Sequence, residues 1–347
     1  MSVSGFFGKA GLFFVKAARF VWTRFLCPVG TFFKRLWKHR KGRFGLIVVA
    51  ALVFFALFAP LLTPYDPKTP SINEGYLPPS WTHLLGTDGN GVDILAQILY
   101  GTRVSLIIGL TSGLCVTLVG AFLGIVAGYY SKWAGGAIMR VVDVLLVIPT
   151  LPLMVILHKY VSSSYVMMIF IFIAFGWPGT ARIIRAQVLS LKNGNYIKAA
   201  ELFGAKRNYI TRRHILPAVS HLLIMNCALA SAGFMIAEAG LSFIGLGDPS
   251  AVSWGQLLVK AEGGAFTSRL WAWVLAPGAA IFFAVIGFMQ IGYALEELLN
   301  PKIGGTGMTA RAWGEATDAQ IEEAEEQMRE PSPEEAAAIR EQVRSER

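Results

Sequence analysis

Asn195-Tyr196-Ile197-Lys198-Ala199-Ala200-Glu201-Leu202-Phe203-Gly204, followed by Arg212-Arg213-His214-Ile215-Leu216-Pro217, is a basic segment set between two strongly apolar runs. Ala199, Ala200, Glu201 and Leu202 are strong helix formers, and Asn195 is placed to cap them. Gly204 can take the left-handed conformation that ends a helix, and Pro217 suits the first turn of a new one. The segment therefore reads as two short helices around a glycine. Apolar runs of spanning length on both sides make it a charged hairpin between two membrane helices, shaped to be held by something else.

The composition agrees. Of 347 residues, 54% are hydrophobic and 15% charged, whereas a soluble chain carries about 25% charged residues. No Ser/His/Asp triad, zinc-ligand spacing or phosphate-cradling glycine loop stands out. The formal charge of +9 is unevenly spread. Residues 1–44 hold ten Lys/Arg and no acids, and residues 182–214 hold eight Lys/Arg against Glu201 alone. From Thr306 to Arg347 the balance reverses, with eleven Asp/Glu against five Lys/Arg. Positive charge beside apolar runs is the positive-inside pattern and not a nucleic-acid face. Cys27, Cys115 and Cys227 are scattered and imply neither a disulfide framework nor a metal cluster.

Apolar runs predict six spans, at about residues 44–62, 104–130, 137–158, 165–181, 218–241 and 270–295, with both termini inside. Residues 1–43 form a basic cytoplasmic segment, residues 44–302 the transmembrane domain and residues 303–347 an acidic cytoplasmic tail. Charges interrupt the apolar residues of 5–26, which argues against a removable signal peptide. That stretch reads as an interfacial helix or as a basic arm on anionic lipid. The tail reads as a solvated helix or a partly disordered segment.

Within the spans, Gly109 and Gly113, then Gly120, Gly124 and Gly128, repeat every four residues and offer a face for close helix packing. Pro149 and Pro152 predict a kink in the third span. Asp143 lies three residues after Arg140, at pairing distance along a helix. A role in gating or the substrate path and a plain interfacial ion pair are both open for it. Glu238 is an acid in an apolar run. A pore-facing or interhelix role and simple interfacial exposure are both open there.

Ala199-Ala200, Gly204 and Leu216-Pro217 resemble the EAA loop of ABC importer permeases, with Lys198 in place of that family's leading glutamate and Glu201 three residues on. Leu85-Gly86-Thr87-Asp88, Gly91-Val92-Asp93-Ile94-Leu95 and Tyr100-Gly101-Thr102-Arg103-Val104-Ser105-Leu106 look like the dipeptide/oligopeptide (and nickel) branch, with Val92 where arginine is usual. Gly176-Trp177-Pro178, Ala181-Arg182, the stretch Glu238 to Gly247, Ser253-Trp254-Gly255 and Asn300-Pro301-Lys302 extend the likeness over roughly residues 40–302.

The resemblance implies an all-α permease that works by alternating access and has no catalytic residues of its own. Its implied partners are a homologous second permease, two ATP-binding cassette ATPases that use ATP and Mg, and an extracytoplasmic binding protein. That protein would deliver peptide near residues 64–100 and 248–269. Lys198, Ala199, Ala200, Glu201, Gly204, Leu216 and Pro217 would couple the permease to the ATPases in the inner membrane. No cofactor or metal is expected on this chain. An importer of nickel or another small solute stays open. A secondary transporter would show internal repeats and ion-coordinating interrupted helices, which the sequence lacks.

Overall fold

The computed structural model describes residues 33–34, 36–71, 73–130, 132–160, 164–268 and 271–299. The stretch 5–26, the tail 303–347 and Asn300-Pro301-Lys302 lie outside the described residues. Among the described residues, five helices are long and apolar enough to cross a membrane, and a bent pair makes six if it is one span.

Helix α1, Arg40–Leu62, starts earlier than expected, so the boundary at residue 43 falls inside a helix. The reason is tertiary. Leu36 is buried against Ala294 and Leu295, and Glu297 pairs with Lys41 and, at 3.0 Å, with His39. The basic residues before the first span are thus held by the end of the last one.

Helix α2, Ile94–Ile125, also begins earlier, ten residues before the expected 104, and runs on through a π-turn at Val126–Tyr130. Its start is fixed by Asp93, whose carboxylate accepts the Ala96 N–H at 2.7 Å as an N-cap. Tyr100 to Leu106 therefore lies within the helix. The preceding segment is tied by the same kind of chemistry. Asp88 accepts from the Asn90 and Val92 N–H groups and from Gln97 Nε2, each at 2.9 Å. His83 meets Asp93 at 2.9 Å, and both are buried.

The third span is not one kinked helix. Helices α3, Lys132–Val147, and α4, Thr150–Tyr160, are bent by 84° at their junction. Pro149 disfavours helical backbone in the residue before it and lacks the N–H that would continue the ladder, which breaks the rod. Helix α5, Tyr165–Lys192, is capped by Ser164 and continues eleven residues beyond the expected 181, carrying Arg182 and Arg185 with it.

Two short helices follow: α6, Asn195–Leu202, and α7, Arg207–Ile210. A π-turn at Thr211–Ile215 joins α7 to α8, Leu216–Leu241, and a second at Ser242–Leu246 ends it. Arg207 to Ile244 is thus one continuous helical rod, and Gly245, with φ 83°, breaks it at the far end. Pro217 stands in the first turn of α8, as the sequence suggested, but α8 continues the π-turn before it without a break. It sits inside the rod just after the wider π-turn, which relieves the ring's clash with the preceding turn. Residues 254–268, which lie between the expected spans, form helix α9, Trp254–Ser268, and α10 is Trp271–Leu299.

Helix α2 is the packing centre, lying mainly against α5 and α8. Its glycines divide between those two neighbours. Gly109 and Gly113 meet Met235 and Ser231 of α8, whereas Gly120, Gly124 and Gly128 meet Thr180, Ala181 and Val188 of α5. At Gly124 an added Cβ would lie 2.7 Å from the Ala181 carbonyl oxygen, closer than real side chains come. Helix α10 closes the bundle against α1, α8 and α9.

Candidate functional site

The basic hairpin is built from the chain outward. Gly194, not Asn195, is the N-cap of α6, and no side chain caps it. At the other end Gly204 has φ 77°, the left-handed region where a Cβ is penalised. Its N–H donates to the Glu201 carbonyl and the Ala205 N–H to the Ala200 carbonyl, both at 3.0 Å. Those two bonds are a Schellman stop, with Ala200 and Ala205 packed on the same cluster.

One side chain anchors the hairpin. Ile197 is fully buried among Ile125, Tyr129, Ile184, Val188 and Ile215. Polar contacts hold the edges. The Tyr129 hydroxyl donates to Glu201 Oε1 at 3.0 Å, and the Tyr130 hydroxyl donates to Asn208 Oδ1 at 2.6 Å. Arg207 Nη1 donates to the Tyr130 carbonyl at 2.9 Å, and the Lys192 ammonium lies 5.7 Å from the centre of the Tyr129 ring. Every one of these contacts ends on the last turn of α2 or its neighbours. The hairpin is clamped to the bundle on its inner side.

Its outer side is bare. Leu202 and Phe203 are 88% and 91% exposed, and Lys198 is exposed as well. Glu201 is exposed too, with Oε1 of its carboxylate held by Tyr129. Ala199 and Ala200 are half-buried beneath the hairpin, and Leu216 and Pro217 are exposed on the rod that leaves it. Two large apolar side chains on a tightly stopped turn can insert into a complementary cleft.

Two further residues singled out in the sequence lie elsewhere. Asp143 of α3 pairs with Arg182 of α5, not with Arg140. That pair bridges two helices on an exposed face. Glu238 is 2% exposed near the far end of the rod, where it accepts from Ser253 at 2.7 Å and Ser242 at 2.9 Å, with Ser105 at 3.4 Å. Its setting is interhelical and not interfacial.

Neither acid lines the groove of about 440 Å³ on the bundle's side, whose walls include Val116, Met154, Gly179, Thr180, Asn226 and Gly233. Sequence reasoning passed over Gly179, Thr180, Asn226 and Gly233 because small, weakly polar positions on α5 and α8 carry no local signal. The spacing of Asn226, Ala230, Gly233 and Ala237, three or four apart, was the available clue.

Comparison with known sequences gives a consistent picture. The profile described as binding-protein-dependent transport system inner membrane component matches residues 120–305. That of the N-terminal TM domain of oligopeptide transport permease C matches residues 28–79. The chain is similar to the di/tripeptide transport system permease protein DppC of Pseudomonas aeruginosa, with 33% identity over 78% of this chain and 92% of that one. A candidate peptide transport system permease of Brucella abortus shares 35% identity over 80% and 93%. A candidate peptide permease of Brucella suis shares 32% over 79% and 91%. With an apolar helical bundle, a clamped hairpin and matches across most of its length, the chain belongs to the family of binding-protein-dependent transport system inner membrane components.

Proposed function

We propose that this chain is one of two homologous permease subunits of an ATP-driven importer of di- and oligopeptides. The observation that carries the reading is the hairpin: stopped by Gly204, clamped on Ile197 and continuous from Arg207 with a rod of spanning length that runs to Ile244. Leu202 and Phe203 enter a cleft on a partner ATPase, which supplies ATP and Mg chemistry. When two such ATPases close, each hairpin moves as a body and its rod moves with it. The groove on α4, α5 and α8 then lines the path shared with the second permease, and access alternates between the two faces. The peptide class follows from the names of the relatives, and an extracytoplasmic binding protein delivers the cargo. Both termini lie in the cytoplasm, on the side of the basic hairpin.

The test is uptake of labelled di- to pentapeptides into proteoliposomes holding this chain, the second permease, two ATPases and the binding protein. Accumulation that requires both ATP and the binding protein is the expected result. Uptake driven by an ion gradient without ATP would refute the reading.

A further inference from the structure

The structure points to Glu238 as the positioning residue that ties the outer face of the permease to the rod bearing the hairpin, so that docking outside moves the lever inside. Four elements meet at its carboxylate. Ser105 belongs to α2, Glu238 to α8, Ser242 to the π-turn ending α8, and Ser253 stands just before α9. The Ser253 and Ser242 hydroxyls both donate to Oε1, at 2.7 and 2.9 Å, while Ser105 approaches Oε2 at 3.4 Å. The Trp254 N–H donates onward to Ser105 Oγ at 3.2 Å, and its indole N–H to the Ile98 carbonyl at 3.3 Å. Gly255 seats α9 so close to α8 that an added Cβ would lie 2.8 Å from Ala239 Cα.

Among the described residues, all the side-chain hydrogen bonds to Glu238 come from hydroxyls. A well-packed apolar residue would serve stability as well as such a buried acid. What the acid adds is direction, because oriented hydroxyl donors fix the register of α9 on α8 and break or form together.

The outer layer beyond it is also linked. Asp248 accepts the Tyr165 N–H at 3.2 Å, and Lys68 donates to the Ser250 carbonyl at 2.8 Å. The outer segment, the loop 247–253 and α9 are therefore connected, and Glu238 joins them to the rod. From Glu238 to Arg207 the rod is one helical run, roughly 45 Å at 1.5 Å per residue. Displacement at one end has a stiff path to the other.

This inference rests on the importer reading, and the experiment separates the two. ATP hydrolysis by the complete complex in lipid nanodiscs is measured against the concentration of peptide-loaded binding protein. Stimulation of the wild-type complex tests the importer reading; a wild type that never responds removes both ideas. In a responsive complex, Glu238→Ala should lower the maximal stimulation at least five-fold with the half-saturating concentration unchanged. Glu238→Gln should retain most of it, because its amide oxygen can accept from Ser253 and Ser242. Where Glu238→Ala fails to assemble, Ser253→Ala carries the same comparison. A Glu238→Ala complex with wild-type stimulation overturns the proposal. So does a rise in half-saturation alone, which would place the residue in docking, or a Gln variant as impaired as Ala.

Discussion

The Trp177 indole N–H donates to the carbonyl of Ala174 at 3.0 Å. That carbonyl lies four residues before Pro178 and is the one Pro178 cannot satisfy, having no N–H. The same remedy appears in α1. Pro60 frees the Ala56 carbonyl, and Arg103 of α2 donates its Nε–H to it, with Nη2 on the Leu57 carbonyl at 3.2 Å. In hydrocarbon an orphaned carbonyl costs several kcal/mol, so a proline inside a span calls for a donor nearby. Trp177 supplies it locally and Arg103 from the next span.

Arg103 is therefore expected to be coupled to Pro60. Arg103→Met should lower stability by about 1–3 kcal/mol, the cost of leaving a buried acceptor unpaired. In a Pro60→Ala background the backbone N–H returns, and Arg103→Met should cost less than half as much. Apparent melting temperatures of the four proteins in one detergent give the comparison. Equal losses in both backgrounds would rule out the link.

These pairs show what the sequence could and could not disclose. Pro149 was legible as a local break, because the missing N–H is a property of the residue itself. Whether a break becomes an 84° bend, as at Pro149, or is bridged, as at Pro60, depends on donors that spacing along one helix does not reveal. Asp143 illustrates the same limit: Arg140 was its sequence neighbour, but Arg182 came from α5. The hairpin was legible as helix, glycine, helix because each part has a local propensity. Its fusion with α8 was hidden by Pro217, a residue normally read as a start. Helix α9 was hidden too, since its few apolar residues cannot span.

Gly204 should tolerate a side chain sterically but not conformationally. Nothing lies within 4 Å of a Cβ there, while φ is 77°. Gly204→Ala then costs about 1–2 kcal/mol of local backbone strain, and Gly204→Asn less. Ala200→Glu is harsher, because it puts a charge under the hairpin against the cluster around Ile197. In vesicles with all subunits, Ala200→Glu should cut peptide uptake at least ten-fold while ATP hydrolysis and membrane insertion persist. Normal uptake would exclude the lever.

The two faces of the hairpin should separate by mutation. Ile197→Ala removes its buried anchor, a change worth about 2–5 kcal/mol in a packed site. It should speed tryptic cleavage after Arg212 or Arg213. Leu202→Ser with Phe203→Ser alters only exposed side chains and should leave that cleavage rate unchanged. The double variant should instead fail to co-purify with the ATPases. Retained co-purification would place the ATPase contact elsewhere.

Asp248 should make the outer layer sensitive to acid. Burial raises its carboxyl, but hydrogen bonds from the Ser250 hydroxyl and from the Ser250, Tyr165 and Ala251 N–H groups outweigh that and hold it below its ordinary value of 3.8. A carboxyl that loses its proton more readily when folded stabilises the fold above its ordinary value. That contribution is lost as the pH falls through the lowered, folded-state value. Asp248→Asn should therefore melt below wild type at pH 7, with the gap narrowing only below about pH 4. Thermal unfolding of both proteins between pH 7 and pH 3 gives the answer. A gap that stays constant over that range would mean that Asp248 acts by shape and not by its charge, and the acid sensitivity would have to arise at another group.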